Sequence, residues 1–251
     1  MTPVIPLDSP RWSELKHAYG DGSDLPEILG RLSDGDAEAM DDLFGSICHQ
    51  GTTYTASYAA VPHLAEIAGR TKDAGLRAQI LVLIGSIAAD SETPPIPEDV
   101  RAAYEAAQPR ALALALKTLH EPLEPSDAVY LLATAATVDG RSVVGRVLAG
   151  FVDEEFIAEC PSCQRELYLW PQENGFTAAA DDPVSAPKTP RTPIVPGPEP
   201  AHEADYQWLT RVGGAAALSF IDGRLPFLFG RGTCPACGAA FSVMDQLAAY
   251  G

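Results

Sequence analysis

The sequence predicts a mostly α protein: a stack of helical hairpins over residues 1–150, forming an α-solenoid, then a small β region over 151–251 split by an insertion. Three observations predict it. Alanine and leucine are abundant and β-branched runs are scarce, which favours packed helices. Apolar residues recur at three- and four-residue steps in segment after segment of the first 150 residues. Two Cys-Pro-x-Cys pairs, "CPSCQREL" from Cys160 and "CPACGAAF" from Cys234, sit among short β-like runs.

"SPRWSELKHAYG" reads as the first helix, capped by Ser9, with Trp12, Leu15 and Tyr19 on one apolar face and Gly20 as its end. "SDLPEILGRL" is the second, capped by Ser23 or Asp24. In the third, Met40, Leu43, Phe44 and Ile47 share a face and Gly51 is the stop. The fourth, "TYTASYAAVPHLAEIAGR", holds Pro62, which implies a kink or a late start. The fifth, "DAGLRAQILVLIGSIAAD", is apolar on most sides and reads as an inner helix. A long helix is expected from Glu98 to Leu119, bent at Pro109, and then a hairpin of two helices turning at Gly140. Units of about 30 to 45 residues are what an α-solenoid repeats. A compact irregular bundle is the alternative.

"AVPHLAEIAGRTKDAGLRAQILVLIGSIA" resembles a HEAT repeat, with Pro62, Asp73 and Arg77 at the positions where that family places its proline, Asp and Arg. The resemblance to small bacterial HEAT-repeat proteins covers roughly residues 9 to 150. It implies a scaffold and no particular activity. Asp73 is expected to cap a helix, and Arg77 to reach Asp73 or an Asp of the neighbouring repeat.

After Gly150 the character changes. β-like runs flank the first Cys pair, seven prolines between Pro183 and Pro200 imply an extended or disordered linker over about 177–200, and a single helix is expected over about 201–220. "LPFLFGRGT" reads as a strand before the second Cys pair, and "SVMDQLAAYG" as a closing helix.

A Cys-x-x-Cys turn supplies two adjacent corners of a tetrahedral metal site, and two such turns supply four. Cys160, Cys163, Cys234 and Cys237 therefore read as the ligands of one structural Zn2+ per chain, in a split zinc ribbon. An iron–sulfur site or redox thiols are the alternatives. The separation of the pairs far exceeds the usual 15 to 20 residues, but the insertion lets the chain leave and return. Gly238 suits the left-handed turn after the second pair, whereas Gln164 at the matching place departs from the usual knuckle. Four thiolates leave no open position for a substrate.

The formal net charge of −17 is spread over both halves. It disfavours nucleic-acid binding and implies solubility, or a lure for a basic protein. With neither a secretory leader nor a spanning helix in the sequence, a cytoplasmic protein with reduced thiols is expected, away from membranes. Trp12, His49, Gln50 and Tyr54 are the candidate partner-binding residues, "HQGTTY" being the densest polar stretch beside an apolar helix. Cys48 and His49 as nucleophile and base is a weaker reading, because neighbouring helical residues point about 100° apart. The function expected is a non-catalytic protein–protein interaction scaffold. The alternatives are an immunity-type protein that neutralises a basic toxin and an enzyme using residues 48–63.

Overall fold

A computed structural model describes residues 4–89, 94–153, 156–172, 175–221 and 223–250. Asp90, at the end of the fifth predicted helix, and residues 154–155 lie outside it. The chain is mostly helical with small sheets. It begins with a 3-10 turn, Pro10–Glu14, and two two-residue strands, β1 (Lys16–His17) and β2 (Gly20–Asp21). Helices α1 (Leu25–Ser33) and α2 (Ala39–Ile47) follow, then strands β3 (Cys48–His49) and β4 (Thr52–Thr53). Five longer helices come next: α3 (Thr55–Arg70), α4 (Ala74–Ala89), α5 (Glu98–Thr118), α6 (Pro125–Val138) and α7 (Ser142–Asp153). Strands β5 (Ile157–Glu159), β6 (Glu166–Gln172), β7 (Gly175–Ala179) and β8 (Arg191–Pro193) form one antiparallel sheet in that order. Helices α8 (Glu203–Val212), α9 (Ala215–Ile221) and α10 (Leu225–Leu228), hairpin β9 (Arg231–Thr233) and β10 (Ala240–Ser242), and α11 (Val243–Tyr250) complete it.

Helices α1 to α7 form where the apolar spacing puts them. Leu25, Leu29 and Leu32 of α1 are buried at four- and three-residue steps. α3 runs unbroken through Pro62, and α5 through Pro109. α4 buries eight residues distributed around its circumference, as an inner helix must. Asp73 Oδ1 accepts from the Leu76 N–H at 2.7 Å, the expected cap. Gly140, at φ +83°, turns the chain between α6 and α7. One hydrophobic core runs from Trp12 to Leu247, with α9 packed on α6 and α11 on α7 and β5.

Several expectations need correction. The first predicted helix is only the 3-10 turn: Ser9 caps it, but Leu15 is already extended and the chain turns back as β1–β2. Trp12 and Leu15 remain buried, while Tyr19, at the hairpin tip, is 70% exposed. The third helix stops at Ile47 instead of Gly51, and Phe44 is 38% exposed in place of sharing the buried face. Gln50 (φ +51°) and Gly51 (φ +81°) close a two-residue hairpin with both residues left-handed, the twist that suits paired strands. Arg77 turns away from Asp73. It donates to Thr118 Oγ1 (2.8 Å), the Thr71 carbonyl (2.7 Å) and Glu121 (2.5 Å), joining α4 to the end of α5.

The proline-rich stretch is built into the sheet. β8 pairs with β7, the Ala180 N–H donates to the Pro190 carbonyl, and Ile194 is buried. Prolines are tolerated because β8 is the last strand of the sheet, where missing donors cost little. The single inserted helix is two, α8 and α9, broken at Gly213–Gly214. A Cβ on Gly214 would lie 1.6 Å from the Leu119 carbonyl oxygen, so the helix must break for its backbone to meet the end of α5. "LPFLFGRGT" is helix α10 followed by β9 rather than one strand.

Candidate metal centre

Each cysteine pair sits at the tip of a hairpin. Cys160 and Cys163 link β5 to β6; Cys234 and Cys237 link β9 to β10. The two tips have the same backbone. The Cys160 N–H donates to the Arg165 carbonyl at 2.8 Å and the Gln164 N–H to the Cys160 carbonyl at 2.9 Å. In the other tip Cys234 donates to Ala239 at 2.8 Å and Gly238 to Cys234 at 2.9 Å. Gln164 (φ +58°) and Gly238 (φ +77°) occupy the same left-handed position, so the glutamine does not alter the turn.

The four sulfurs converge. All lie within 4.8 Å of one another, with Cys160 Sγ 3.6 Å from Cys237 Sγ and Cys163 Sγ 3.8 Å from Cys234 Sγ. A tetrahedral ion with metal–sulfur bonds of about 2.3 Å separates its sulfurs by about 3.8 Å. The group could therefore hold a metal ion. Cys160 and Cys234 are buried, while Cys163 and Cys237 are exposed.

The electrostatics fit a cation. Burial pushes the Cys160 thiol up, but the Cys163 and Ser162 N–H groups aimed at its sulfur, together with hydrogen bonds from the Cys163 and Cys237 side chains, bring it down to about 7. The Arg165 N–H pulls the Cys163 thiol down, yet hydrogen bonding among the crowded thiols, with Cys160 foremost, and desolvation push it up to about 11. Close-packed thiolates repel, and a bound cation removes that obstacle.

Tertiary packing brings the tips together. Val195 pairs with Arg231, tying the chain just beyond β8 to β9, and the Thr192 hydroxyl donates to the Thr233 carbonyl. Tyr250 at the end of α11 donates to Glu166 at the start of β6. The span between Cys163 and Cys234, 71 positions apart, is thus filled by strands and helices.

The candidate partner-binding residues do not form one surface. Trp12 is 1% exposed, its Nε1 donates to the Pro6 carbonyl at 3.0 Å, and its ring lies 5.9 Å from His63. A side chain so enclosed offers a partner no contact. Tyr54 is half-buried and precedes α3, where its N–H donates to Ser57 Oγ at 2.8 Å. His49 and Gln50 are accessible, and His49 Nδ1 lies 3.2 Å from the Tyr19 hydroxyl. Cys48 is 2% exposed, so the nucleophile–base pairing with His49 lacks an accessible sulfur.

Sequence reading missed a cavity of about 760 Å³ between α2, α4, α6 and α7, lined by none of these residues. A signal of it in the sequence is the adjacent carboxylate pair Asp41 and Asp42 in the first turn of α2. Asp42 is engaged by Arg31, whereas Asp41 faces the cavity. No helix among the described residues is long and apolar enough to cross a membrane. Comparison of the chain with protein-family models, curated proteins and solved structures finds no significant match.

Proposed function

We propose that this chain is a non-catalytic protein–protein interaction scaffold, HEAT-like in its helical hairpins, whose C-terminal half is fastened by one structural Zn2+ on Cys160, Cys163, Cys234 and Cys237. The convergence of four sulfurs from two remote hairpins carries this reading. An all-thiolate tetrahedron has no free position for water or substrate, so the metal holds shape and does no chemistry. Zinc suits such a site because it is redox-inert and imposes no geometry of its own.

The net charge of −17 supports a basic partner and disfavours nucleic acid. It also favours the second reading, an immunity-type binder of a basic toxin. Cysteines that are free and gathered as metal ligands, with no disulfide among them, support a cytoplasmic setting. Metal analysis of the purified chain should give one zinc per chain and no iron absorbance. Affinity capture at low and high salt should recover a basic protein that is released as salt rises. Turnover lost in His49→Ala would instead reveal an enzyme.

A further inference from the structure

The cavity of about 760 Å³ is a trough with a defined chemistry. On α4 its lining residues Ala78, Val82, Ser86 and Ala89 recur at three- and four-residue steps. They form one helical face about 16 Å long at 1.5 Å per residue. Their side chains are small, so another helix can approach closely. The framework is rigid. A Cβ on Gly85 would meet Thr134 at 2.6 Å, and one on Gly145 would meet Thr137 Oγ1 at 2.2 Å, so α4 and α7 are locked against α6. Phe44 on α2, 38% exposed, is a large apolar side chain at its edge.

The charges at the trough are unspent. Asp41 and Asp127 lie in the first turns of α2 and α6 and have no hydrogen-bond or ion-pair partner for their side chains among the described residues. Arg146 is the single cation among the described residues of the lining. Burial, aided by the neighbouring Glu124, pushes the Asp127 carboxyl up, so a cation set against it relieves a real cost. A second copy of the chain is a poor occupant, because each carries −17. A small molecule is also disfavoured: Asp41, Gln79, Ala89 and Arg146 are solvent-exposed, whereas small-ligand sites enclose most of their ligand.

We propose that the trough seats a basic amphipathic helix of a protein partner, about three turns long, with its apolar face on Val82, Ser86, Ala89 and Phe44 and its lysines or arginines against Asp41 and Asp127. This names the partner chemistry for the scaffold reading and rests on it.

The test uses the full chain with metal bound and a labelled three-turn Leu/Lys amphipathic peptide, with a Leu/Glu peptide of the same apolar face as control, read by fluorescence anisotropy. The Leu/Lys peptide should bind and the Leu/Glu peptide should not. Asp41→Asn with Asp127→Asn, and separately Ala89→Trp at an exposed position, should each weaken binding about tenfold or more without changing circular dichroism or metal content. Equal affinity for wild type and both variants, or equal binding of the two peptides, overturns the proposal. So does a dimer in sedimentation that Ala89→Trp disperses, or a small aromatic amine that binds with the same variant dependence while the peptide does not. If the captured basic partner binds the Ala89→Trp chain unchanged and the peptide fails, the trough assignment falls and the scaffold stands. Peptide binding that obeys the variants, with no partner captured at any salt, supports the trough and counts against the scaffold.

Discussion

Cys160 Sγ and Cys237 Sγ lie 3.6 Å apart although 77 positions separate them in the chain. Neither hairpin can complete a four-sulfur set alone. Whatever the group binds must stabilise the meeting of the β5–β6 and β9–β10 tips and, through β5 and β10, the docking of α11.

Removing one ligand should therefore undo a region. Cys234→Ser is expected to lose the metal and about 4 kcal/mol or more of stability. Hydrogen exchange should accelerate in β5, β6, β9, β10 and α11, while α3 and α4 stay protected. Chelation of wild type should produce the same map. A variant that keeps its metal, or a chelated chain with unchanged exchange, contradicts the assignment.

Arg77 tests how the helical hairpins are joined. It is nearly buried and satisfies three acceptors on two other segments. Arg77→Ala leaves Thr118 and the partly buried Glu121 without their donor, at an expected cost of about 2 kcal/mol in urea unfolding. Arg77→Lys should recover only part of it, because an ammonium lacks the planar fork that reaches all three.

His63 should make stability depend on pH. Burial holds its pKa below the ordinary 6.5, against the upward pull of the Ile5 carbonyl and Glu66. Folding thus favours the neutral ring. Its contribution is fully present above pH 6.5 and is lost as the solution is acidified below that value. The urea midpoint of wild type should fall more steeply between neutrality and about pH 5 than that of His63→Gln. Parallel profiles would remove His63 as the cause.

The two cysteine turns give a matched pair of substitutions. Nothing lies within 4 Å of a Cβ built on Gly238, so Gly238→Ala should cost only the left-handed backbone, about 1 kcal/mol. Gln164 already adopts φ +58° with a side chain, so Gln164→Ala should be close to neutral. Thermal melts of the two metal-bound variants make the comparison. Equal losses would show that the turns are not equivalent.

Much of this was legible locally. Leu25, Leu29 and Leu32 announce α1 by spacing alone, Asp73 announces the cap of α4, and Gly140 marks the turn into α7. The four thiols could be grouped because each Cys-x-x-Cys turn is a local structure that offers two adjacent corners of a metal site. Tyr19 and Phe44 were misplaced because a helical period was extended past the point where the chain had turned into a hairpin or reached solvent.

What the amino-acid order determined by itself was helices α1 to α7 and the grouping of the four sulfurs, because helical hydrogen bonds and knuckle turns close within a few residues. Only the tertiary structure decided that a proline-rich stretch becomes the outer strand of a sheet, that Gly214 must sit against Leu119, and that α2, α4, α6 and α7 leave a trough with two carboxylates unpaired among the described residues. Strand partners, close backbone approaches and cavities depend on residues far apart in the chain, and no local period records which of them will meet.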